Sequence, residues 1–174
     1  MRENTEGGGL ILYVRNSLRA KVLARSNTTA LGKPLIPEYL MCSIWGDNLP
    51  PILICVIYRP PKILFGADPD FISTFRELCS EYSHKIIMGD FNADLLTDTS
   101  DSRYINNLTK ELSLQVVEHK STHRPNGKNE PTTWIDAIFV DSNDNILSHT
   151  NILPRFKSRH NLIDVEISLY LSDL

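Results

Sequence analysis

The sequence predicts an α/β fold, a sandwich of two sheets flanked by helices, and three observations lead there. Residues 52–57 are apolar without interruption, and residues 86–88 form a second such run that stops at Gly89. Runs this short and this continuous read as strands buried on both faces rather than as helices. Further strand-like stretches recur along the chain, whereas only two segments carry a helical period, and that balance points to packed sheets with helices outside them.

Taken in order, Gly7-Gly8-Gly9 forms a flexible turn into a strand at residues 10–14, and residues 21–24 make a short partner strand. Residues 31–38, with two prolines, read as a loop; residues 39–45 read as a strand and 47–51 as the turn after it. The buried strand at 52–57 ends at Tyr58-Arg59-Pro60-Pro61, where prolines forbid further ladder hydrogen bonds. Asp68-Pro69 supplies an N-cap and first-turn proline for a helix whose inward stripe is Phe71, Phe75, Leu78, Cys79 and Tyr82. After the central strand, Asp101-Ser102 is the expected cap of a second helix with Ile105, Leu108 and Leu112 on one side. Val116-Val117 opens the next strand, 121–132 is a polar loop, 133–140 is a strand with Asp136 in apolar company, and Ile152-Leu153 is a short strand piece. A turn at 158–161 precedes a closing strand at 162–171.

The 174 residues are one domain's worth of chain, and 1–174 is read as a single domain. With 41% hydrophobic and 22% charged residues there is enough apolar material for a core, and a net charge of −3 gives no global basic signature. A nucleic-acid partner would therefore have to meet a local patch. Cys42, Cys55 and Cys79 each lie in apolar segments with no C-x-x-C pair, which predicts buried free thiols in a reducing compartment. No apolar run is long enough to span a bilayer, and no apolar segment follows Met1 to act as a secretory signal. The expected location is nuclear or cytoplasmic, with no membrane partner.

The chemistry is expected at strand ends, where α/β scaffolds hold it. Asp90 and Asn92 alternate with period two, so both can face one side: a carboxylate to accept a proton or orient water, a carboxamide to donate to an anionic oxygen. An Asx turn closing the strand is the structural alternative. Tyr58 closes another strand, Asp136 lies in a third, and His160 sits in the turn before the last. Asp136 could instead be a strand acid bonded to a turn, His160 an incidental surface histidine, and Tyr58 a rim residue with a wet hydroxyl.

In this order and with these flanks, the chain resembles the endonuclease/exonuclease/phosphatase superfamily, and within it the endonuclease domain of non-LTR retrotransposons. The motifs that carry the resemblance are the segment at 7–15, Tyr58-Arg59-Pro60-Pro61, Gly89-Asp90-Phe91-Asn92, Thr133-Trp134-Ile135-Asp136 and Ser158-Arg159-His160. The resemblance implies a four-layered α/β/β/α sandwich of two mixed sheets, hydrolysing a phosphodiester of double-stranded DNA with Mg²⁺ or Mn²⁺. It implies that Asp90 orients the attacking water, Asn92 and Tyr58 reach the scissile phosphate, and Asp136 pairs with His160, which stabilises charge on the phosphoryl oxygens. Thr122, His123, Arg124, Lys128, Thr133 and Arg59 form the implied DNA-facing set. A reverse transcriptase in the same longer polyprotein is the implied partner.

Two departures accompany the match. No Asn-then-Glu pair in strand context precedes Gly7, so the chain is expected to be N-terminally incomplete and to lack the family's metal-binding Glu. Arg159 stands where the family has an acid before its histidine, which places repulsion beside a cation site. An active DNA-nicking domain and a catalytically degenerate remnant therefore both remain open, with a small-substrate phosphatase of the same superfamily as a third reading.

Overall fold

The computed structural model describes residues 10–26, 36–61, 63–64, 69–125 and 131–169. Gly7-Gly8-Gly9, most of the loop at 31–38, Asp68, Lys128 and the end of the closing strand lie outside them. The described chain runs β1 (Arg19–Arg25), β2 (Glu38–Gly46), β3 (Leu49–Tyr58), α1 (Pro69–Glu81), β4 (His84–Asp90), α2 (Ser100–Glu111), β5 (Gln115–Val116), β6 (Asp136–Val140), β7 (Ile146–Ile152) and β8 (Leu162–Ile167). Six strands form one mixed sheet in the order β1-β2-β3-β4-β6-β5, and β7 pairs with β8 in a second sheet. Only β3 and β4 run parallel, with α1 as their crossover; the other pairs are antiparallel.

Each face of the large sheet is covered differently. Met41, Leu53, Cys55, Ile57, Ile87 and Phe139 pack under α1 and α2. On the opposite face Ile138 and Val140, with Ile86 and Met88, meet Ile163, Val165 and Ile167 of the two-stranded sheet. That double coverage is why the runs at 52–57 and 86–88 contain no polar residue. The fold class is as expected, an α/β arrangement of two sheets with few helices. Among the described residues both long helices share one layer, and the second sheet is antiparallel rather than mixed.

Several boundaries differ from the sequence reading, each for a local reason. Residues 10–14 are not a strand; Leu12 and Val14 instead lean on Cys42, Ile44, Ile52 and Ile54 from a segment without regular secondary structure. The turn before β3 is only Asp47-Asn48, because Pro50 and Pro51 join the strand. The cap of α2 is Thr99, whose hydroxyl accepts the Ser102 N–H while Ser102 Oγ accepts the Thr99 N–H, a capping box that frees Asp101 for another partner. Strand β6 starts at Asp136 rather than Thr133: Phe91 N–H and Leu95 N–H donate to the carbonyls of Ile135 and Trp134, and Asp94 Oδ1 accepts the Trp134 N–H. The closing strand ends at Ile167, and β7 begins six residues before the expected Ile152. All three cysteines are free and buried, as expected. No helix among the described residues is long and apolar enough to cross a membrane.

Candidate active site

The register of the large sheet lays Tyr58, Asp90 and Asp136 abreast: Tyr58 is opposite Asp90 across β3–β4, and Asp90 opposite Asp136 across β4–β6. Directly paired residues share a face, here the one that carries Val56, Met88 and Ile138. With strands about 4.8 Å apart, the three side chains span roughly 10 Å of sheet edge. Gly89 makes this row possible, since it lies beside Ile57 of β3 at φ 150°, where a Cβ would lie 1.8 Å from the Ile57 carbonyl oxygen.

Beyond Gly89 the chain turns sharply. Asp90 Oδ1 accepts the Asn92 N–H at 2.9 Å, and Asn92 takes a left-handed φ of 47° that asparagine tolerates. The Asx turn is thus real and forms part of the site. The Asn92 amide donates to the Arg59 carbonyl at 2.7 Å, which leaves its second N–H for another acceptor.

Opposite this turn, His160 Nδ1 stands 3.0 Å from both carboxylate oxygens of Asp136. The Thr122 hydroxyl donates to Asp136 Oδ2 at 2.9 Å, and Ser158 Oγ accepts the His160 N–H at 3.0 Å. The hydrogen bond to Asp136 holds the His160 pKa above its ordinary value. The His123 ring packs against that of His160 with centroids 4.6 Å apart, and burial together with the neighbouring His160 charge pushes His123 down. One positive charge is therefore favoured on the pair, and it sits on His160. Burial, opposed by the Asn92 N–H, raises Asp90 to about 6.

These shifts have a thermodynamic consequence. The folded protein holds the Asp90 proton more tightly than the unfolded chain between the ordinary carboxylate value, 3.8, and about 6, so stability falls as pH rises through that window. His160 acts in the same direction: its contribution is complete below 6.5 and is lost as pH rises through its higher folded value. Asp90→Asn, in EDTA, is expected to stabilise the protein by on the order of 2 kcal/mol near neutral pH, after allowance for partial solvation of the carboxyl. The gain should vanish at about pH 4, where wild-type Asp90 is already neutral. Urea unfolding at both pH values checks this, and an equal gain at both would refute it.

The DNA-facing set needs correction. Arg59 is fully buried, with its guanidinium committed to the carbonyls of Phe91, Ile63 and Asn92 and to Asp101. Thr122 is also fully buried and is spent on Asp136. Arg124 is 8% exposed and donates to Asn161 Oδ1 and to the Ser158 carbonyl. Thr133 and His123 are half-buried, with Thr133 Oγ1 3.0 Å from His123 Nδ1. Asp94, Asp101, Ser158 and Asn161 hold these turns together; the sequence predicts Asp101 only as a helix cap and Ser158 and Asn161 only as turn residues, and Asp94 carries no signal beyond its place after the central strand.

Asp90, Asp136 and His160 offer ligand atoms within 4.8 Å of one another. Asp136 is committed to His160 and Thr122, whereas Asp90 is a half-buried carboxylate whose Oδ1 accepts the Asn92 N–H. A hard divalent cation held mainly by water and substrate oxygens needs only one or two carboxylates, so the donor set fits such an ion beside Asp90.

Comparison with known proteins adds three findings. The profile of a family described as endonuclease-reverse transcriptase matches residues 52–164. No curated protein matches the chain. Among solved structures, the fold is similar to the endonuclease domain of TRAS1, a telomere-specific non-LTR retrotransposon (TM-score 0.63, 13% identity, covering 87% of this chain and 79% of that one). It is also similar to the 3′ phosphatase NExo from Neisseria bound to a product DNA hairpin (TM-score 0.56, 13% identity, 74% and 65% covered). A mannosyl-6-phosphatase from Bacteroides thetaiotaomicron shares it too (TM-score 0.51, 13% identity, 86% and 67% covered). At these identities the likeness is one of fold.

Proposed function

The chain belongs to the endonuclease-reverse transcriptase family, and from that premise we propose that it is a metal-dependent endonuclease domain that nicks double-stranded DNA to start reverse transcription. The observation that carries this reading is the Asp136–His160 pair, 3.0 Å apart, set in the same row as Asp90 and Tyr58. Phosphoryl transfer needs a positioned nucleophile and a stabilised developing charge, and little else from the protein. Asp90 orients a water and accepts its proton as the water oxygen bonds to phosphorus and the bond to the leaving sugar oxygen breaks. The free N–H of Asn92 and the Tyr58 hydroxyl hold phosphate oxygens. His160, kept cationic by Asp136, faces the charge that grows on them. Mg²⁺ or Mn²⁺ beside Asp90 supplies further neutralisation when bound. Residues 1–174 act as one such domain, and a reverse transcriptase within the same polypeptide is its proposed partner.

The test is nicking of supercoiled plasmid with Mg²⁺, beside EDTA and Asp90→Ala controls. Metal-dependent nicking lost in Asp90→Ala is the expected result. No nicking by the wild type would sink the proposal, and phosphate release from phosphorylated ends without nicking would move it to a phosphatase.

A degenerate, non-catalytic domain is the second reading, and Arg159 is the observation behind it. This exposed cation precedes His160, and its charge reaches His123. Arg159→Asp is expected to lower the Mg²⁺ concentration for half-maximal nicking by about tenfold, since it replaces repulsion with attraction near the site. A metal titration of both proteins decides the point.

A further inference from the structure

We propose that Arg59 and Arg124 are positioning residues, two internal ties that hold the catalytic turns at 90–92 and 158–161 in register with each other. Its kinetic consequence rests on the hydrolase reading above; its structural consequence does not. Arg59 alone accounts for every carbonyl of the first turn. Its backbone N–H donates to Asp90 O at 2.9 Å, its Nη2 to Asn92 O at 2.5 Å, and its Nε to Phe91 O. In return, the Asn92 side chain donates to the Arg59 carbonyl. Asp101, at the start of α2, neutralises the buried guanidinium at 2.9 Å, so the turn is fastened to the helix layer.

Arg124 repeats the device on the other turn. Its backbone N–H donates to Arg159 O at 2.9 Å, Nη1 to Asn161 Oδ1 at 2.5 Å and Nη2 to Ser158 O at 2.7 Å. The neighbouring Thr122 carbonyl accepts the Asn161 N–H at 2.8 Å. His160 is thereby held on both flanks by the segment whose Thr122 also holds Asp136. In both cases the planar fork of a guanidinium joins several acceptors at fixed angles, which a lysine ammonium cannot reproduce. Arg59 is fully buried with four of its five guanidinium N–H donors spent in these contacts, and Arg124 is 8% exposed with Nη1 and Nη2 both turned to the 158–161 turn, so both belong to the site's frame and not to its DNA surface.

The experiment compares wild type with Arg59→Lys and Arg124→Lys. Each is measured for duplex binding in EDTA against salt, for kcat and KM of nicking with Mg²⁺, and for the NMR signals of the Asn92 side-chain amide and the His160 ring. A small displacement of either turn should lower kcat about 10²-fold with KM within about twofold. The slope of log affinity against log salt should not change even in Arg59→Gln and Arg124→Gln, which remove the charge, because no phosphate contact is lost. The Asn92 amide should move in Arg59→Lys and the His160 ring in Arg124→Lys. A slope reduced by about 0.9, with both signals in place, would mean phosphate contacts and overturn the proposal. Should a lysine variant fail to fold, Asp101→Asn and Asn161→Ala remove one anchor each while keeping the arginine. The same signals should shift, with kcat lower by about tenfold, and unmoved signals overturn the proposal. If the wild type does not nick, the hydrolase reading falls while the two NMR signals still decide this one.

Discussion

Asp136→Asn should lower the nicking rate by about 10³–10⁴-fold while DNA binding stays within a few-fold of wild type. The amide preserves the shape of the side chain, which is only 14% exposed, and can still accept from the Thr122 hydroxyl. It removes the negative charge that both holds His160 Nδ1–H and favours the imidazolium. An amide N–H facing His160 asks for the opposite tautomer, so the ring either turns or breaks its bond. Either outcome takes positive charge away from where the phosphoryl oxygens gain negative charge, and this contribution is commonly a large one in catalysis. The pH profile separates this cause from simple misfolding. Wild-type activity should decline on the alkaline side as His160 loses its proton, at a pH above that of an ordinary histidine. In Asp136→Asn the residual activity should decline at lower pH, because the group that raised His160 is gone. Single-turnover nicking measured across pH at saturating Mg²⁺ provides the readout. A rate within tenfold of wild type and an unmoved alkaline limb would show that the pair does not serve the chemistry.

What the sequence revealed of this arrangement was its strands and the residues that close them. Unbroken apolar runs announce β3 and β4 because both faces of those strands are covered, and the polar residues that end them must then lie at the sheet's rim. Direction was harder to read. Arg59 looks like a free cation beside a phosphate-facing tyrosine, yet strand alternation puts it on the face opposite Tyr58, the one shared by Cys55 and Ile57 and covered by helices. A basic residue pointing there must find acceptors, and the turn at 90–92 supplies them. Arg124 has no such local clue, because its partners lie more than thirty residues away in the turn at 158–161. Strand β7, with the sequence ILSHTNI and mostly exposed side chains, shows little apolar alternation, and pairing with β8 is what makes it a strand. Thr99 was missed as a cap because Asp101, the stronger sequence signal, is used by Arg59 instead.

Gly89→Ala should destabilise the protein by on the order of 4 kcal/mol, which approaches the whole folding free energy of a marginal domain. The built Cβ meets only backbone: it lies 1.8 Å from the Ile57 oxygen, 2.7 Å from its carbonyl carbon and 2.9 Å from its nitrogen. No flexible side-chain end is there to move aside. The φ of 150° is also a region that L-residues rarely occupy, so strain would remain even if β3 withdrew. Relief requires β3 and β4 to separate at the Ile57–Gly89 pair, directly beside the pair of Tyr58 with Asp90. Any variant that does fold should therefore carry a displaced Asp90 and lose activity along with stability. Gly46→Ala provides the comparison, since its Cβ would meet the Leu18 Cδ2 at 3.1 Å, the end of a side chain that can shift, and should change stability by less than about 1 kcal/mol. Urea midpoints of the two variants at 25 °C measure the contrast. Equal midpoints would mean that β3 and β4 do not approach this closely beside Asp90, and the alignment of Tyr58, Asp90 and Asp136 on which the proposed chemistry depends would have to be abandoned.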